Sequence, residues 1–167
     1  MKEKIILRGF FEILLALILG GICGWLFFSL IGVVAVLNVD HKYYRWTMLL
    51  PRNYGGTAWW IHAGLMEFVS AIPGTLVTGV PLGILIRKKP QLYGLITFVG
   101  VFVFSVILYS IWGDSWRDIA IWWYPAWLGI IRVVFLVGLC ILTTSLGYHI
   151  RRRRARNSSS VHAHFHQ

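Results

Sequence analysis

The chain has 167 residues, 57% of them hydrophobic, and a mean hydropathy of +0.70. Ordinary soluble domains are about 45–50% apolar, so this composition excludes them and points to one compact membrane domain. The net charge of +10 does not mark a nucleic-acid binder, because the basic residues gather at helix ends and in a tail rather than over a folded face. The only two cysteines, Cys23 and Cys140, each fall near the middle of an apolar run, where the sequence offers no disulfide partner. Thiol oxidases built on four helices need cysteine pairs in their outer loops, and these loops contain none.

Lys2, Lys4 and Arg8 precede an apolar run over about 10–37. The run exceeds the roughly 7–15 residues of a secretory signal core, and no small-x-small cleavage site follows it. It reads as a retained first transmembrane helix. Glu12, Ala16, Gly20 and Gly24 recur every fourth residue and so share one face. Small side chains on such a face let another helix approach closely, and Gly20 with Gly24 makes a GxxxG match. Glu12 stands one turn after Arg8, the spacing of a local ion pair.

The loop that follows places Tyr43, Arg45 and Trp46 together. Aromatic rings interleaved with cations suit the headgroup layer or a partner surface. Pro51, Gly55 and Gly56 then interrupt structure before the second span, about 59–86. This span contains Glu67, Pro73 and Pro81. A carboxylate in hydrocarbon costs several kcal/mol unless it is paired or protonated, so Glu67 needs a partner or a purpose. Ala63, Glu67, Ser70, Ala71, Gly74 and Thr78 follow at offsets of three and four. Such a small, polar stripe belongs against other helices or a water-filled cavity.

Arg87 to Lys89 and Pro90 end the second span, and an uncharged third span covers about 92–112. Trp116, Ile119, Ala120 and Trp123 then share one helical face, the pattern of a short interfacial helix whose aromatics meet headgroups or a partner. The fourth span, about 127–150, carries Arg132 near its start. Arg151, Arg152, Arg153 and Arg154 open a basic, Ser-rich tail over 151–167 that composition predicts to be disordered and to meet anionic headgroups. His162, His164 and His166 on this tail define no metal site. His62 and His149 lie too far apart in depth to share a haem, so no cofactor is implied.

The sequence therefore predicts an all-α integral membrane protein, with residues 1–150 forming four transmembrane helices. The three strongest basic clusters fall on one side of four spans. By the positive-inside rule, both termini are expected in the cytoplasm and the protein in the inner (plasma) membrane. Glu67 lies seven residues past Trp60, and Arg132 five past Trp127. At 1.5 Å per residue both stand roughly 8–10 Å below the same interface, which makes them candidate partners in an intramembrane ion pair. No Walker loop, nucleophile elbow, zinc-binding His-Glu-x-x-His helix or paired metal-binding aspartates occur, so enzymatic activity is not expected. Two functions lead, with a lipid-modifying enzyme using the outer loop as a third. One is a non-enzymatic protein that binds another membrane component, as an accessory subunit, a small regulator or immunity-type protein, or a homo-oligomer. The other is a small transporter or channel subunit in which Glu67 titrates.

Overall fold

The computed structural model describes residues 2–39, 57–112 and 126–164, all of them helical except for one turn. Four helices follow in order: α1 (Lys2–Val39), α2 (Thr57–Leu85), α3 (Pro90–Trp112) and α4 (Ala126–His164). Each is long and apolar enough to cross a membrane. At 23 residues, the shortest spans about 35 Å against a hydrocarbon core of about 30 Å. The expected interfacial helix, with Trp116 and Trp123, lies outside the described residues, as do Tyr43, Arg45 and Trp46.

The turn between α2 and α3 is built from Ile86 to Lys89. Ile86 N still donates to Leu82 O, closing the last turn of α2. Lys89 then takes a positive φ of 53°, an uncommon conformation for a residue with a side chain. The α region is disfavoured for a residue that precedes a proline, which helps to break the helix here. The Lys89 carbonyl accepts from Leu92 N and Tyr93 N, so α3 starts with Pro90 in its first turn, where a missing N–H costs nothing.

Around the bundle the helices stand in the order α1, α2, α4, α3. Although consecutive, α2 and α3 therefore sit across a diagonal and scarcely touch. The neighbours α2 and α4 run parallel in a steady register. Glu67 meets Arg132 and Ile86 meets Arg151, each pair 65 residues apart. Between them Gly79 faces Thr143 and Gly83 faces Gly147. α1 and α3 form a second parallel pair, with Gly20 against Gly100 and Gly24 against Phe104. The close approaches need glycine: a Cβ on Gly83 would run into Thr144 O and Gly147 Cα, and one on Gly20 into Thr97 O and Gly100 Cα.

Large apolar side chains point outward and small or hydroxylated ones inward. Phe10, Phe11, Trp25, Val69, Val77, Ile130 and Val134 are exposed, whereas Ala16, Ser70, Ala71, Thr75, Thr78, Thr97, Thr143 and Thr144 are buried. This is the arrangement of a bundle solvated by lipid, in which close backbone contact replaces an oily core as the source of cohesion. Two apolar clusters cap the interior: Ala16, Leu82 and Ile86 toward the α2–α3 turn, and Phe27, Ala71 and Leu136 toward the other end. The threonines and the free thiols of Cys23 and Cys140 lie between them.

One expectation is corrected. The chain does not leave its helix at Ile150: α4 is 39 residues long and ends at His164, so the basic segment is helical. Charge density alone favours disorder, but Arg and Ala are strong helix formers.

Candidate functional site

The parallel register of α2 and α4 brings Glu67 and Arg132 into one plane. One turn nearer the helix starts, Gly64 faces Leu128, and the absent side chain leaves room for the pair to approach. The Arg132 guanidinium donates through Nε to Glu67 Oε2 and through Nη2 to Oε1, the latter at 2.9 Å. Both carboxylate oxygens are thus held by a planar fork, the geometry that makes Arg a better partner than Lys for a buried carboxylate. Arg132 is 4% exposed, so it depends on protein partners for almost all of its solvation.

Phe27 from α1, Phe68 and Ala71 from α2, and Leu136 from α4 wall the pair in. Phe68 also stacks at a tilt on Phe135, with ring centroids 4.4 Å apart, which fixes that wall. The cavity left beside the carboxylate measures about 10 Å³ for a water-sized sphere. One water needs roughly 10–15 Å³ by that measure, so the space holds a single water at most. Chemically, this is a neutral unit: its charges cancel and its hydrogen bonds are directed, while the Glu67 side chain remains 18% exposed beside a partly enclosed cavity.

Of the small faces read from the sequence, Ala16, Gly20, Gly24, Ser70 and Gly74 are all buried. Gly20 and Gly24 meet α3, while Gly74 meets Cys23 and Leu26 of α1. Arg152, Arg153 and Arg154 are exposed near the end of α4. Arg151 differs from them: it turns back to the bundle and donates from Nη1 to Ile86 O at 2.8 Å, capping the open C-terminal end of α2. Glu12 accepts from Arg8 Nε at 3.2 Å, the local pair expected from the spacing.

The sequence reading missed Tyr93, whose hydroxyl donates to Glu12 Oε2 at 2.8 Å across 81 residues and ties α3 to α1. Its signal was a lone phenol in the first turn of an otherwise uncharged span, at the same end of the bundle as Glu12. Among the described residues, no three His, Cys, Asp or Glu side chains come together to hold a metal ion. No family model matches the chain, and neither a curated protein nor a solved structure matches it.

Proposed function

We propose that this chain is a non-enzymatic, multi-pass protein of the cell's inner membrane, with both termini cytoplasmic, that acts by binding another membrane component. It serves as an accessory subunit, or as a small regulator or immunity-type protein that occludes a partner. The observation that carries this reading is the two-point hold of Arg132 on the Glu67 carboxylate. Arg132 holds both carboxylate oxygens, and the space beside them, about 10 Å³, admits at most one water. A carrier site must instead open to substrate or water from each side in turn. A carboxylate committed at both oxygens to one guanidinium suits a fixed scaffold whose outer surface does the work.

The orientation rests on charge. Arg87, Lys88, Lys89 and Arg151 to Arg154 gather at one end of the bundle, the pattern of a cytoplasmic face. Cross-linking in native membranes, followed by gentle purification, tests the function. A second integral membrane protein should be joined to this chain at a fixed ratio. A chain that stays uncross-linked at its native abundance, and purifies alone, overturns the reading.

A further inference from the structure

Two basic clusters far apart in sequence meet at the α2–α3 turn. Arg151 donates to Ile86 O at 2.8 Å, which pins α4 beside the end of α2. Arg87, Lys88 and Lys89 follow Ile86 immediately and are exposed, as are Arg152, Arg153 and Arg154 after Arg151. α4 does not stop there, so it rises as a post beside the turn. At about 100° per residue, Arg154 lies within about 60° of Arg151 around α4 and overhangs the turn, whereas Arg153 lies about 160° away. Only two carboxylates have described side chains. Glu12 is held by Arg8 and Tyr93, and Glu67 by Arg132 toward the other end. The corner between post and turn therefore concentrates positive charge with no carboxylate committed to it among the described side chains. Like charges held this close repel unless an anion joins them.

Depth identifies the anion. The apolar parts of α2 and α4 end at Ile86 and Ile150, so the corner begins where hydrocarbon gives way to headgroups. That layer is roughly 5–8 Å thick on each side of a bilayer, and Arg154 stands about 4.5 Å beyond Arg151 along the helix. Just short of the corner, Ile84 on α2 and Leu146 on α4 are exposed and offer an apolar seat for an acyl chain. We infer that this corner binds the phosphate of one acidic membrane phospholipid, with Arg87, Lys88 and Arg154 as contacts and Arg151 as the positioning residue. The inference rests on the membrane-spanning reading of the four helices, and it is independent of whether a protein partner exists.

The test uses the full chain in an uncharged detergent. Native mass spectrometry would titrate it with phosphatidylglycerol, phosphatidylcholine or inorganic phosphate. Thermal unfolding followed by tryptophan fluorescence confirms that each variant is folded. One phosphatidylglycerol should be retained in preference to phosphatidylcholine, and millimolar phosphate should not displace it. The double variant Lys88→Gln/Arg154→Gln should bind it at least about tenfold more weakly, as expected for two cations at an anionic lipid, and Arg153→Gln less than about threefold more weakly. Equal losses in Arg153→Gln and the double variant would show a diffuse cationic surface and overturn the site. Equal retention of the zwitterionic lipid, or displacement by inorganic phosphate, would overturn it as well.

Discussion

A guanidinium that is 4% exposed has given up nearly all of its water, so the two Glu67 oxygens are a condition of Arg132 being there. Removing one member of a buried pair strands the other, at a cost of about 3–5 kcal/mol, whereas replacing both with apolar side chains is often far milder. Glu67→Leu and Arg132→Leu should each destabilise the bundle on that scale, and the double variant should lose much less than the sum. Reversible unfolding in mixed detergent measures all three, and additive losses would show that the pair is not coupled. A second residue behaves in the opposite sense. Thr75, Thr78, Thr97 and Thr143 each donate to a carbonyl one turn back, but Thr144 Oγ1 is buried with no partner among the described residues. An unsatisfied buried hydroxyl costs about 1–3 kcal/mol, so Thr144→Val should stabilise the protein by about 1 kcal/mol in the same assay. Thr78→Val, which loses the bond to Gly74 O, should give no such gain. A destabilised Thr144→Val would mean that the hydroxyl is engaged after all.

Helix pairing sets what the elements tolerate. Gly83 and Gly147 pass so closely that a Cβ on Gly83 would strike the α4 backbone, whereas Gly138 has nothing within 4 Å of an added Cβ. Gly83→Ala should therefore force α2 and α4 apart and cost about 1–3 kcal/mol, as overpacking does. Gly138→Ala should be neutral or stabilising by up to about 1 kcal/mol, because Ala is the better helix former. Equal effects of the two substitutions would sink the close-approach account. The contrast also shows where the sequence is legible. Bilayer thickness imposes a length on every span, so the four helices can be read from apolar runs alone. The Glu67–Arg132 plane can be read because tryptophans mark a common interface above both residues. Gly20 and Gly24 announce that some helix comes close, but not that it is α3, since a spacing of four describes one face and carries no address. Tyr93 and Glu12 leave no local trace for the same reason: their contact exists only once α1 and α3 lie side by side. The helical run beyond Ile150 was hidden by charge, which composition reads as disorder, while the favourable propensity of its Arg and Ala residues was outweighed.

Across the whole molecule the question is whether water or an ion can pass. Starting from Glu67, the interior toward the α2–α3 turn offers threonine hydroxyls, of which Thr75, Thr78, Thr97 and Thr143 are spent on carbonyls of their own helices. Beyond them Leu82, Ile86 and Ala16, all at 0% exposure, close the interior with apolar side chains. A proton or solute moving along this line would have to break the Arg132 fork and part that plug. Pro73 and Pro81 both lie on the exposed side of α2, away from the packed seam. If the termini are cytoplasmic, a reporter fused at Ser158 should be active only in forms that work inside the cell; an externally active fusion there would invert the bundle. Transport is tested by reconstituting the purified chain in liposomes loaded with a pH-sensitive dye and imposing a proton gradient. A scaffold with a committed ion pair should leave the dye response at the level of empty liposomes, and Glu67→Gln should change nothing. Proton flux above that level, abolished by Glu67→Gln, would mean that the fork opens on the functional timescale. Glu67 would then be a carrier site rather than a fixed link between α2 and α4, and the binding-protein reading would fall.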